Sequence, residues 1–249
     1  MDKPELTSIL EARNLKKSYG KGENAVAALK DVSFSIQPGE FVAILGPSGS
    51  GKSTLLNMLG LMDRPDAGDV FIGGKKALSL SEEARSLLRN EKLGFIFQFD
   101  ALLSDFTILE NILFPALISS RPRKESYLEV QKRALSLLEH LKLPQIAERY
   151  PSQVSGGERQ RAALCRALIN NPEILLADEP TGNLDKVNGE MVFKDLEGLA
   201  REKNAAVILV THNEEAAARA ARVFHMQDGT LIEAAGVSSF RLAGRGAMS

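Results

Sequence analysis

The sequence predicts an α/β fold: a mostly parallel sheet of buried strands, an antiparallel β region near the N-terminus, and an inserted helical lobe. Two observations carry that expectation. Short apolar runs alternate along the chain with longer stretches of helical spacing. Several of those runs are apolar at every position, the pattern of strands covered on both faces rather than one. A length of 249 residues fits one large domain or two small lobes. An apolar share of 44% and a charged share of 25% exclude a disordered or fibrous chain.

Taken in order, Leu10 to Tyr19, Val26 to Ile36 and Val70 to Ile72 are broken by Gly and polar turns and read as the antiparallel region. The runs Phe41 to Leu45 (FVAIL), Leu93 to Phe97 (LGFIF), Ile174 to Ala177 (ILLA) and Ala205 to Val210 (AAVILV) read as buried parallel strands. From Glu125 to Leu141 apolar residues recur at helical spacing (Leu128, Ala134, Leu135, Leu138, Leu141), and Pro144 follows as a stop. The expected organisation is one domain spanning 1–249. In it, about 1–97 and 161–235 form the core with its β region, about 98–160 a helical lobe, and 236–249 a loosely held tail rich in Gly, Ala and Ser.

Charge and cysteine usage narrow the function classes. Thirty-one Lys plus Arg against 32 Asp plus Glu leave a net charge of −1. Duplex nucleic-acid binding usually needs a basic excess, so no nucleic-acid partner is expected. The single cysteine, Cys165, cannot pair within the chain, which fits a reducing compartment. Cys165 lies among apolar residues and reads as core packing. MDKPELTS carries neither a basic segment nor an apolar run, so no signal peptide is expected. The longest apolar stretches fall far short of a membrane span. The expectation is a cytoplasmic protein whose membrane role comes through a partner.

Directly after FVAIL stands Gly46-Pro47-Ser48-Gly49-Ser50-Gly51-Lys52-Ser53, followed by Thr54 and a helical run. This is G-x-x-x-x-G-K-[ST] in its required setting of strand, loop and helix. Glycines let backbone amides converge on phosphate oxygens, and the helix N-terminus behind them favours negative charge. Lys52 is placed to reach the β- and γ-phosphates, and Ser53 to ligate Mg²⁺. The expected ligands are therefore ATP and Mg²⁺.

Two further motifs join it. The run ILLA leads into Asp178-Glu179-Pro180, which puts carboxylates at the C-terminal edge of a strand, where α/β ligands bind. Asp178 fits the carboxylate that completes the Mg²⁺ shell with Ser53, and Glu179 the base that orients water. Val154-Ser155-Gly156-Gly157-Glu158 opens a helix, and reads either as a second phosphate cradle or as a plain N-cap, Ser155 with Glu158 three residues on. His212 closes another buried strand on the same edge, whereas His140 and His225 read as packing or surface residues.

The order of these motifs resembles that of an ATP-binding subunit of the ATP-binding-cassette family over about residues 9–235. The matching pieces are the phosphate loop, Gln98 after LGFIF, VSGGE at 154–158, ILLADEP at 174–180, TGNLD at 181–185, and His212. The resemblance implies an ATPase coupled to transmembrane transport, with two subunits binding two ATP head to tail. Each ATP would lie between one phosphate loop and the other subunit's Ser155, Gly156 and Gly157. It further implies that Gln98 joins the γ-phosphate and metal site to the helical lobe, that His212 contacts the γ-phosphate, that Asp185 crosses the dimer interface, and that Tyr19 stacks on adenine. Val154 and Glu158 depart from the usual Leu and Gln, and Glu158 brings a carboxylate toward phosphate.

Within the family, Phe97 to Asn111 (FQFDALLSDFTILEN) resembles the subunits that drive lipoprotein release from the bacterial inner membrane. Macrolide-type exporters and the cell-division ATPase share much of the remaining pattern. A soluble cassette ATPase working on DNA or ribosomes usually carries two cassettes or a long coiled coil, and this chain has neither. The resemblance places the subunit at the cytoplasmic face of the inner membrane, held there by membrane permease subunits. Leu102, Leu103, Phe106, Ile108 and Leu109 crowd one short stretch, so Phe99 to Leu117 is the expected docking surface for those permeases.

Overall fold

The computed structural model describes residues 8–22, 25–118 and 125–234. The expected C-terminal tail, 236–249, lies outside them. Ten strands and seven α-helices follow one another among the described residues. They are β1 (Leu10–Tyr19), β2 (Val26–Ile36), β3 (Phe41–Leu45), α1 (Lys52–Leu59), β4 (Ala67–Ile72), β5 (Lys75–Lys76), α2 (Glu82–Lys92) and β6 (Leu93–Ile96). Then come α3 (Ile108–Leu117), α4 (Tyr127–His140), α5 (Gly156–Leu168), β7 (Ile174–Asp178), α6 (Lys186–Lys203), β8 (Ala206–Thr211), α7 (Glu214–Ala217), β9 (Arg222–Gln227) and β10 (Thr230–Glu233).

The described strands form two sheets. A six-stranded sheet runs β10-β9-β3-β8-β7-β6, parallel except for β10, and a four-stranded antiparallel sheet runs β2-β1-β4-β5. The expected α/β class holds.

The uniformly apolar strands are buried on both faces, as their composition requires. In β3, Phe41 and Ala43 point into one core while Val42 and Ile44 point into the other. Strands β7 and β8 divide in the same alternating way. One core packs α3, α4, α5, α6 and α7 against the parallel sheet. The other packs α1 between that sheet and the antiparallel one through Leu55, Leu56 and Leu59. Burying each such Leu stabilises the fold by about 1.5–3 kcal/mol.

Helices α3, α4 and α5 each begin with a capping box, built on Thr107 and Glu110, Ser126 and Glu129, and Ser155 and Glu158. The box satisfies two of the amides that a helix N-terminus otherwise leaves unpaired. The region between β6 and β7 therefore folds as capped helices whose apolar faces share the sheet's core. Cys165, on α5, is fully buried, and burial pushes its thiol up to about 12. No helix among the described residues is long and apolar enough to cross a membrane.

Candidate active site

At Leu45 the chain leaves β3 and turns through Gly46 to Gly51 into α1. Gly51 has φ of +106°, and a Cβ added there would stand 2.3 Å from the Ala28 carbonyl oxygen. No L side chain tolerates either condition. The turn between β9 and β10 braces the loop from outside. The Gly229 amide donates to the Ser50 carbonyl at 3.0 Å, and the Lys30 amide donates to the Gly229 carbonyl at 2.7 Å. Lys52 is buried, with its Nζ donating to the Gly46 and Pro47 carbonyls at 2.8 Å each. Burial pulls the pKa of that ammonium down, while the charges of Glu179 and Asp178 oppose the fall.

Strand β7 delivers the carboxylates. Ser53 Oγ donates to Asp178 Oδ2 at 3.2 Å, joining the start of α1 to the end of β7. Burial raises the pKa of Asp178, and neighbouring Glu179 adds to the rise against the Ser53 hydrogen bond and Lys52. Glu179 sits at φ +45°, the left-handed region that a non-glycine residue rarely adopts. Three neighbours at the end of β8 and just beyond it hold its amide and carboxylate. Its amide donates to the Val210 carbonyl at 2.9 Å, Thr211 Oγ1 donates to Oε2 at 2.9 Å, and the His212 amide donates to Oε1 at 2.7 Å. His212 Nδ1 stands 2.5 Å from the same Oε1. A carboxylate so firmly held at the edge of the cavity is a candidate functional group.

These residues share a cavity of about 700 Å³. Ser48, Gly49, Gly51, Lys52, Ser53, Thr54, Gln98, Asp178, Glu179 and His212 line it, with Val26, Ala28, Lys30 and Asp228 on the outer wall. Gly46, Pro47 and Ser50 shape the loop from behind, Ser50 being buried. Lys30 and Asp228 were not expected. An Asp-Gly turn between apolar runs is a hairpin signal, yet only the parallel pairing of β9 with β3 carries it to the phosphate loop. The hydroxyl, carboxylate and amide oxygens of Ser53, Asp178 and Gln98 are the donor set a hard divalent cation prefers. With Ser53 and Asp178 in hydrogen-bond contact and Gln98 on the same cavity, these residues fit Mg²⁺.

Other expected site residues stand elsewhere. Tyr19 is 45% exposed and pairs across the β1–β2 ladder with Val26, on the cavity's outer wall. Ser155, Gly156 and Gly157 do not line the cavity. The capping box does form: Ser155 Oγ accepts from the Glu158 amide at 3.3 Å and donates to Glu158 Oε2 at 2.8 Å. Hydrogen bonds from the Ser155 amide and hydroxyl hold Glu158 below the usual carboxylate range. Asp185 caps α6, accepting from the Asn188 amide at 2.9 Å and from Asn188 Nδ2 at 2.6 Å. A Cβ on Gly157 would stand 2.6 Å from that same Asn188 side chain. Asn188, absent from the expected set, thus joins the start of α5 to the cap of α6.

The expected docking stretch is only partly a surface. Phe99 is 72% exposed, and Leu103, Phe106 and Phe114 are also exposed. Ile108 and Leu109 are buried in the core, which corrects the expectation for Ile108, while Leu109 takes the core place that was its alternative. The physical reason is α3: once Thr107 caps it, the helix turns both residues inward. Three α5 side chains pin the segment before it. Arg159 pairs with Asp100 at 2.8 Å, Gln160 Nε2 donates to the Phe97 carbonyl at 2.9 Å, and Arg166 donates to the Asp100 and Ala101 carbonyls at 2.7 and 2.6 Å. Buried Asn111 ties the turn at Leu103 to Thr107 through four hydrogen bonds.

Comparisons with known proteins agree with this geometry. The ABC transporter family model matches residues 29–182, more than half of the chain. The lipoprotein-releasing system ATP-binding protein LolD of Paramagnetospirillum magneticum is 44% identical over 224 residues, covering 90% of this chain and 97% of that protein. A dimeric structure of the ATP-binding cassette MJ0796, in a post-hydrolysis state with ADP and Pi, matches at TM-score 0.83 and 40% identity, over 91% of this chain and 99% of that one. A second dimeric structure of MJ0796, described as a bacterial ABC transporter cassette, matches equally well. With phosphate loop, paired carboxylates and closing histidine in one cavity, the chain belongs to the ABC transporter family as an ATP-binding, ATP-hydrolysing subunit.

Proposed function

We propose that this subunit powers the release of lipoproteins from a bacterial inner membrane, acting at its cytoplasmic face and held there by membrane permease subunits. In this reading residues 1–249 form one cassette, with a helical lobe at about 98–160 set into the core. Amides of the loop from Gly46 to Gly51 receive the phosphates of ATP, joined by Ser53 and Thr54, and Lys52 neutralises their charge. Ser53, Asp178 and Gln98 hold Mg²⁺, which when bound offsets the negative charge developing on the phosphates. Glu179 orients the attacking water and takes its proton, and His212 contacts the γ-phosphate. Tyr19 stacks on adenine. A second copy supplies Ser155, Gly156 and Gly157 to the same ATP, with Asp185 crossing the interface. The exposed apolar side chains of Phe99 to Leu117 receive a cytoplasmic segment of the permease.

The observation that carries this reading is the meeting of Lys52, Ser53, Gln98, Asp178, Glu179 and His212 around one cavity. Glu179→Gln tests the chemistry, because it keeps shape while removing the proton acceptor. ATP binding should persist and turnover should fall by about 10²–10⁴-fold. Near-normal turnover contradicts it. Affinity purification from bacterial membranes tests the transport role. An integral membrane partner with a periplasmic domain should accompany the subunit, and recovery with DNA or ribosomes alone contradicts the role.

A further inference from the structure

The loop between α1 and β4 holds a polar knot that the nucleotide motifs do not account for. Asp63, in that loop, presents its carboxylate to β1. Its Oδ2 accepts from the Tyr19 hydroxyl at 3.1 Å, and its Oδ1 accepts from Lys17 Nζ at 3.2 Å and from the Arg64 amide at 2.6 Å. Lys17 Nζ also donates to the Arg64 carbonyl at 2.6 Å and stands 5.3 Å from the centroid of the Tyr19 ring. The backbone on either side is tied in the same way. The Ser18 amide donates to Asp66 Oδ2 at 2.7 Å, and the Asp66 amide donates to the Lys16 carbonyl at 2.8 Å. Burial works against the charge on Asp63, but the hydrogen bonds from Arg64, Lys17 and Tyr19 outweigh it and hold its carboxyl below the usual range.

We propose that Asp63 is a positioning residue that fixes the Tyr19 ring for the adenine base, with Lys17 as the second member of the clamp. This rests on the reading that Tyr19 stacks on adenine. The ring itself is half exposed at the open end of the β1–β2 hairpin, beside Val26 on the cavity's outer wall. Left there alone, it would sample several rotamers, and each binding event would have to order it. The hydroxyl bond to Asp63 removes that freedom in advance. A cation near one side of the ring leaves the rest of its surface for a base. Recognition of the base is thereby separated from recognition of the phosphates: the first depends on the α1–β4 loop, the second on the β3–α1 loop.

Calorimetric titration of the full chain with ADP and, separately, with inorganic tripolyphosphate tests this, because only ADP carries the base. Asp63→Ala and Tyr19→Phe should each raise the Kd for ADP by about three- to tenfold, the cost of ordering one side chain on binding. The double variant should be no weaker than Asp63→Ala alone, since the bond Tyr19→Phe removes is already lost there. Asp63→Asn keeps an acceptor for the hydroxyl and should fall between wild type and Asp63→Ala. Tripolyphosphate should bind all four variants as it binds wild type, which also certifies their folding. Unchanged ADP affinity in Asp63→Ala overturns the proposal. Equal losses for ADP and tripolyphosphate overturn it too, since they mean a damaged loop rather than a loosened ring. Tyr19→Ala separates the two readings: if it binds ADP normally, the stacking reading fails first and the clamp with it.

Discussion

At the scale of single residues, the site is built by pairs that local sequence only half reveals. Lys52 is buried and donates to two loop carbonyls, so the ammonium is already desolvated and aimed along the loop. Lys52→Ala removes a charged hydrogen-bond donor worth about 1.5–3 kcal/mol, and ATP affinity should fall by roughly ten- to a hundredfold in a binding titration. Gly157 gives a different kind of test. Its amide was expected to serve phosphate, yet the structure also gives it a packing duty, since a Cβ there meets Asn188 at 2.6 Å. Gly157→Ala should displace that side chain and its bond to Asp185, lowering stability by about 1–3 kcal/mol in thermal melts. Adding Asn188→Ala should restore most of the loss, and failure to restore it contradicts the contact. Lys52, Ser53, Asp178 and Glu179 were legible because each belongs to a motif whose chemistry fixes its place, whereas Gln98 and the role of His212 came only from the resemblance to the family. Asp63 and Asn188 were not legible, because their partners are set by tertiary packing: Asp63 meets a tyrosine 44 positions away along the chain.

At the scale of elements, three helices depend on ionised caps. Hydrogen bonds from the N-cap amides and hydroxyls hold Glu110, Glu129 and Glu158 below the ordinary value of 4.5. A carboxylate with a depressed folded-state pKa contributes stability that is present above its unfolded value and is lost as pH falls through the folded one. The triple variant Glu110→Gln, Glu129→Gln and Glu158→Gln should therefore lose less melting temperature than wild type between pH 5 and roughly pH 3. Identical acid profiles contradict the role of the caps. The segment before α3 gives a second test. Leu102 packs against the core while Phe99 and Leu103 stand out from it. Phe99→Ser with Leu103→Ser should leave melting and ATP binding within error and abolish co-purification with the membrane partner. Leu102→Ser should instead lower the melting temperature. Apolar runs placed β1, β2, β3, β6, β7 and β8 closely and helical spacing placed α4, whereas β5, β9 and β10 were given no bounds. The composition of 102–109 could not say which apolar residues face inward, because only the cap at Thr107 sets the phase of α3.

For the whole molecule, the central proposal is a site completed by a second copy. One face of the chain gathers the phosphate loop, both carboxylates and His212 around a cavity, while Ser155 to Gly157 lies off that cavity at the start of α5. The sheet order was hidden from local pattern. Strand β3 lies between β8 and β9, neighbours more than 150 residues later in the chain, and this pairing is what assembles the cavity. The two-part arrangement, by contrast, was legible only with the resemblance to the family, since Ser155 to Glu158 taken alone reads as a plain N-cap. In the proposed reading a second copy completes each ATP site. The most direct measurement is ATP affinity and light-scattering mass for Glu179→Gln alone and with Ser155→Arg added. With ATP, Glu179→Gln should run at twice the 27.1 kDa chain mass. Adding Ser155→Arg should leave ATP affinity within about twofold, a difference well below one hydrogen bond, and hold the protein at the single-chain mass. Loss of ATP binding by the double variant, or full dimerisation despite the arginine, would contradict a site shared between two copies.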